Sequence, residues 1–286
     1  MTTGPAWTGP FIGQTGRKYN IERVLREETC PPHHVYVATA DNQTFVLKHI
    51  HAVNFDDLEA INNRLRSYAS HIRLSEDTIP ERSMFVFRYF ADHLLHFAQM
   101  DLPLKVMKRI LKRALRGIAE LHEQDIVHTG KLILSRVDER GLTAGNWMWR
   151  SPEAHAKGPV NKPSDVFSFA LVCIYAIHKR VVFAVGEDEL DEGVDPLAVV
   201  IERQISYFAD EEGLKGFLNY LGDSPWTQVF EVIRDGFNED NPRKPFSLWS
   251  GVDNDFKDLI CPMTNFDPAK RITAREALVH RWFADD

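Results

Sequence analysis

One run of the chain is apolar on every side. Between Val166 and Ile177 only Ser168 is plainly polar, and a helix without a polar face has to be buried all round. The run is well short of the roughly 20 residues that span a bilayer. It predicts a central helix at about 165–178, capped by Ser164 and preceded by a turn at Pro163. Upstream, short β-rich runs predict strands at Tyr19–Leu25, Val35–Thr39 and Thr44–Ile50, with Ala40–Gln43 as a turn. Phe55, Leu58, Ile61 and Leu65 recur at spacings of three and four, predicting a helix over Asn54–Ser67 with Asn54 as its cap. Ile72–Leu74 and Met84–Phe90 read as two further strands. Leu104–Gln124 is the clearest amphipathic helix, with Ile110, Leu111, Ala114, Leu115, Ile118, Ala119 and Leu121 forming its stripe. Helices are also predicted at Pro196–Phe208, Gly213–Leu221 and Trp226–Asp235, and another starts at Phe256. Thr273, with Glu276 three residues on, forms a capping box for the last one.

Composition changes this picture little. The chain has 286 residues, 44% hydrophobic and 26% charged, with a net charge of −7, which is ordinary for a globular protein with sizeable cores. A mildly acidic chain without a block of Lys or Arg argues against nucleic acid as its main partner. Cys30, Cys173 and Cys261 are scattered and read as reduced thiols. The first eighteen residues lack an apolar signal core and no segment reaches membrane length. The expectation is a cytoplasmic or nuclear protein without a membrane partner. Residues 1–18, rich in Gly, Thr and Pro, read as a loose lead-in.

The candidate chemistry begins beside the central helix. Ser151-Pro-Glu153, followed by Asp165-Val-Phe-Ser-Phe-Ala170, resembles the end of the activation segment and the central helix of a eukaryotic protein kinase. Phe45-Val-Leu-Lys48 resembles the family's lysine strand, and Asp267-Pro-Ala-Lys-Arg271 through Phe283 resembles its closing pattern. The Ser-Pro-Glu and Asp-Pro-Ala-Lys-Arg details are closer to the Ser/Thr branch than to the Tyr branch. The resemblance implies an α+β, two-lobed fold. A small antiparallel-sheet lobe with one helix spans residues 19–90 and a mainly helical large lobe spans 91–286. It implies that Val35, Lys48 and Glu59 are nucleotide-binding positions, with Lys48 on the phosphates and Glu59 as its helix partner. A plain strand-end lysine and a solvated helix glutamate are the alternatives. It also implies structural roles for Glu153, Asp165 and Arg271, with Glu153 meeting Arg271. His93 and His96 form an HxxH pair without further ligands spaced for a metal.

The resemblance breaks in two places. The glycine-rich loop over the phosphates would fall at Glu27–His34, which has no glycine, two prolines and an acidic pair. Backbone amides close on phosphate only where no Cβ intervenes, and proline removes an amide. Counted from His128, the catalytic Arg, Asp and Asn positions are Thr129, Gly130 and Ser135, and a following lysine position is Leu132. No Asp-Phe-Gly follows, and Asp138 and Glu139 are the only carboxylates between His128 and Glu153. Asp138 is open to reading as a surviving metal ligand or as a turn aspartate. The expectation is no catalytic residue, no metal ligand, and weak or absent binding of ATP and Mg. An evolved loss, a shortened splice form and a faulty gene model all leave this pattern. The reading is a kinase-like module that works through other proteins, against an active Ser/Thr kinase as the alternative.

Overall fold

The computed structural model describes residues 10–29, 32–128, 147–186, 189–190 and 193–284, with the side chains of 27–29 and 32–33 left aside. The chain divides into two compact units, and in the described residues the division falls after His93. Each unit has its own core.

The first unit is a six-stranded antiparallel sheet with strand order β1-β2-β3-β4-β6-β5. Its strands are β1 (Phe11–Ile12), β2 (Lys18–Thr29), β3 (Pro32–Ala40), β4 (Gln43–His49), β5 (Asp77–Ile79) and β6 (Met84–Arg88). Asp41 and Asn42, both at positive φ, make the tight turn between β3 and β4, as expected for residues that tolerate the left-handed region. One face buries Tyr19, Tyr36, Phe45, Leu47 and Val86 under Phe11 of β1. The lead-in expected at 1–18 therefore ends earlier: Phe11 is core, and β1 pairs with Lys18 and Tyr19. On the other face lies α1 (Ala52–Leu65), whose Phe55 ring sits 5.0 Å from Phe85. α1 starts two residues before the expected Asn54, and the residue at its cap, His51, makes no side-chain cap bond. The strand expected at Ile72–Leu74 falls instead at Asp77–Ile79. That segment carries two buried polar side chains, Asp77 and Thr78, that hydrophobic patterning cannot detect.

The second unit is mostly helical. It holds α2 (Leu94–Gln99), α3 (Leu104–Glu123), α4 (Pro152–His155), α5 (Lys162–His178), α6 (Pro196–Phe208), α7 (Glu211–Leu221), α8 (Pro225–Asp235), α9 (Asn254–Met263) and α10 (Ala274–Leu278). α5 is the centre of its main core, burying Val166, Phe167, Phe169, Ala170, Leu171 and Ile174 among others. The cap of α5 differs from expectation. Asn161 is the N-cap, Pro163 lies inside the first turn, and Ser164 completes a capping box. Proline is harmless there because that turn has no amide bond to lose. A second cluster, with Ile201, Ile205, Phe217, Phe230 and Phe266, joins α6, α7 and α8. The capping box of Thr273 and Glu276 starts α10 as read from the sequence. No helix among the described residues is long and apolar enough to cross a membrane.

Candidate functional site

In the second unit, chain reversals bring three of the singled-out residues together. α4 begins with Pro152 and points Glu153 inward, and the segment before α10 brings Arg271 to it. Arg271 Nη1 donates to Glu153 Oε1 at 2.7 Å and Nη2 donates to Oε2 at 3.2 Å. Arg271 Nε and Nη1 also donate to the carbonyls of Asn265 and Pro163, each at 2.9 Å. Ser164 Oγ donates to Glu153 Oε1 at 2.6 Å, and the guanidinium lies over the Phe167 ring at 5.0 Å. Glu153 is 1% and Arg271 5% exposed. Burial pushes the Glu153 carboxyl upward, but the charge and hydrogen bonds of Arg271 outweigh it, and the net shift is downward. A buried ion pair this fully hydrogen-bonded meets the condition under which desolvation is offset.

Asp165, one turn into α5, ties two other segments to that helix. Its Oδ2 accepts from the backbone N–H of His128 at 2.7 Å and lies 3.0 Å from His122 Nε2 on α3. Burial lowers the pKa of His128, with Asp165 opposing and His122 adding to the shift. The sequence reading missed His122; its position on the buried side of α3 was the available signal. His128 is where the description stops. Thr129, Gly130, Leu132, Ser135, Asp138, Glu139 and the whole 130–144 stretch lie outside the described residues.

The first unit arranges its candidates differently. Partners directly opposite in an antiparallel sheet share a face. One row of that kind runs Arg26, Val35, Lys48, Phe85, Thr78 across β2, β3, β4, β6 and β5. Val35 and Lys48 are therefore side by side. Glu59 does not join them: its Oε1 accepts from Thr78 Oγ1 at 2.9 Å. Thr78 is two strands from Lys48, roughly 10 Å at ordinary strand spacing, and Phe85 with the Phe55 ring occupies the position between. The expected pairing of Lys48 with Glu59 is absent for that reason. Lys48 is half-buried. Burial lowers its pKa, and the charges of Arg26 and Arg73 push the same way. Near Thr78, Asp77 accepts four hydrogen bonds, from Thr15 N, Thr15 Oγ1, Thr78 N and the Tyr19 hydroxyl. Burial and that bond to Asp77 push the Tyr19 hydroxyl up to about 12. The sequence reading did not single out this network.

A nucleotide and its magnesium need closely approaching backbone amides and a set of carboxylates. The Glu27–His34 stretch is paired with itself across the hairpin, Glu27 with His34, Glu28 with His33 and Thr29 with Pro32. Among the described residues no three His, Cys, Asp or Glu side chains group as metal ligands, and His93 and His96 are not such a set.

Comparison with known proteins bears on this geometry directly. A family model described as the protein kinase domain matches residues 139–283, half of the chain. Cyclin-dependent kinase 4 of Xenopus laevis is 27% identical over 207 residues, covering 65% of this chain and 59% of that protein. Cell division control protein 2 homolog 3 of Trypanosoma brucei brucei is 26% identical over 204 residues, covering 63% of this chain and 60% of that protein. The aligned part thus spans about three-fifths of either relative's length. An antiparallel sheet precedes a mostly helical unit centred on α5, and with that match over half of its length the chain belongs to the protein kinase family.

Proposed function

We propose that this chain is a kinase-fold regulatory or protein-interaction module with impaired phosphoryl transfer, working with other proteins in the cytoplasm or nucleus. One observation carries the proposal. Gly130 and Ser135 stand at the positions of the family's catalytic Asp and metal-binding Asn, and no Asp-Phe-Gly lies between His128 and Glu153. Phosphoryl transfer gives a protein little covalent chemistry to perform; the acceleration comes from positioning and from charge neutralisation by metal. Without those ligands the charge on a nucleotide stays uncompensated. The surroundings of Lys48 support the same reading, because Glu59 is bonded to Thr78 and the charges of Arg26 and Arg73 add to burial in lowering the Lys48 pKa.

The competing reading is an active ATP-dependent Ser/Thr kinase, favoured by family membership and by the names of the relatives. Titration calorimetry with millimolar MgATP separates the two. Weak or no heat is expected, and a micromolar dissociation constant overturns the proposal. Radiolabel transfer to generic Ser/Thr substrates is expected to stay at the level of a Lys48→Met control. Gly130→Asp alone is expected not to raise it, because a restored base would still face an unheld nucleotide. Transfer that depends on Lys48 returns the chain to the active kinases.

A further inference from the structure

Helix α3 carries its charges in an order that its own electrostatics disfavour. Lys105, Arg109, Arg113 and Arg116 follow at spacings of four, four and three, which places them in one stripe along the helix. All four are exposed. Among the described residues none of them has an ion-pair or hydrogen-bond partner. Their neighbours are engaged: Lys108 lies over the Trp282 ring at 4.9 Å, and Lys112 Nζ donates to the Phe283 carbonyl at 2.7 Å. The first turn holds no acidic residue, and the helix glutamates, Glu120 and Glu123, come at the far end. Like charges four apart repel, and cations in the N-terminal half oppose the helix dipole. The stripe is thus a local excess of positive charge on a chain whose net charge is −7, and an anionic partner relieves both penalties.

Apolar surface borders the stripe at one end. Leu104 and Val106 of α3 are 54% and 37% exposed, and α2, joined to α3 by only residues 100–103, adds Leu95 at 41% with Met100 at 45% just beyond it. We propose that this face binds an acidic peptide segment of another protein, its carboxylates along the stripe and its apolar side chains against the α2–α3 end. From Lys105 to Arg116 the stripe runs roughly 16 Å at 1.5 Å per residue, the reach of about five extended residues. A short segment therefore covers it. The size argues for a peptide over a polyanionic surface, since the acidic remainder of the chain repels anything much wider than the stripe. The inference deepens the interaction reading above, and its assay reads binding instead of phosphate transfer, so either can fail without the other.

The test is fluorescence anisotropy on the full chain. Its probe is a labelled synthetic peptide of about twelve residues mixing Glu, Asp and Leu, the length leaving a margin around the stripe. A counterpart with Lys for every acid, phosphatidylserine vesicles and a short DNA duplex are run beside it. The acidic peptide is expected to saturate and the basic one not to bind. Raising salt from about 50 to about 500 mM is expected to weaken binding. Arg109→Glu with Arg113→Glu is expected to weaken it at least ~10-fold, and Leu104→Ser with Val106→Ser severalfold. Arg109→Gln with Arg113→Gln, which keeps helix propensity, must act in the same direction, with circular dichroism confirming that each variant is folded. Unchanged binding by the folded arginine variants overturns the proposal. So does tighter binding to vesicles or duplex, or self-association that the arginine variants abolish, which would make a second copy the occupant.

Discussion

Family resemblance implies a cation–carboxylate pair in each unit of this molecule, and the structure forms only one of them. Arg271 and Glu153 meet at 2.7 Å, 118 residues apart in sequence, with their remaining polar atoms satisfied by Ser164, Pro163 and Asn265. Lys48 instead has Arg26 and Arg73 as its charged neighbours, while Glu59 is bonded to Thr78. The difference is one of what holds each group in place. Glu153 and Arg271 are buried in the framework, where an unpaired charge would destabilise the fold, so folding itself enforces the pair. Lys48 is half-buried and can leave its charge partly in water, so the fold tolerates the loss of its partner. Only chemistry enforces that second pair, which fits the impaired activity proposed above.

The comparison breaks first if the framework pair proves dispensable. Glu153→Ala and Arg271→Ala are each expected to cost about 3–5 kcal/mol by stranding a buried charge. In urea melts the double variant should lose much less than the sum. Additive or negligible losses would place the stability of the second unit elsewhere. The pH dependence follows from the depressed pKa of Glu153. Its contribution is complete above the ordinary glutamate value of about 4.3 and is lost as pH falls below that, through the folded value. Glu153→Gln should therefore flatten the acid limb of stability plotted against pH.

A smaller effect is expected in the first unit, where a buried carboxylate has no ion-pair partner among the described residues. Asp77 relies on hydroxyl and amide donors from Thr15, Thr78 and Tyr19. Asp77→Asn should cost about 1.5–3 kcal/mol, since hydrogen bonds to a charged group are the stronger ones. Gly13 makes the close approach possible: a Cβ there would lie 1.9 Å from Asp77 Oδ2. Gly13→Ala should cost about 1–3 kcal/mol through that clash. Both are read as faster amide hydrogen exchange in β2 and β5, and protection equal to the parent chain would show that the network adds nothing.

The smallest effect sharpens the contrast. Lys48→Met removes a half-buried cation that has no ion-pair partner among the described residues and is disfavoured by burial and by Arg26 and Arg73, so it should be neutral or stabilise by up to about 1 kcal/mol. A loss of several kcal/mol in a thermal melt would mean that Lys48 has a carboxylate partner in solution, and the two units would then be alike.

The parts of the fold legible in the sequence were those with strong periodicity. α3, α6, α7 and α8 lie where their apolar spacing placed them, within two residues at their ends. α5 was legible because a run with no polar face has nowhere to go but the core. Its start was misjudged because Asn161, Ser164 and Asp165 are all acceptable cap residues; Asn161 takes the cap, and Ser164 completes the capping box while donating to Glu153. β1 and β5 were missed for a related reason. Two or three residues show no period, and Asp77 is buried only because Thr15 and Tyr19 come to it from about sixty positions away.

By itself the sequence determined most of the helical segments and where α10 is capped. These are local properties of spacing and residue type. Which charges meet was decided only by tertiary structure. Nothing in Asn54–Ser67 distinguishes a glutamate aimed at Lys48 from one aimed at Thr78. The sheet register and the Phe55–Phe85 contact make that choice, because they set which strand lies beneath each turn of α1.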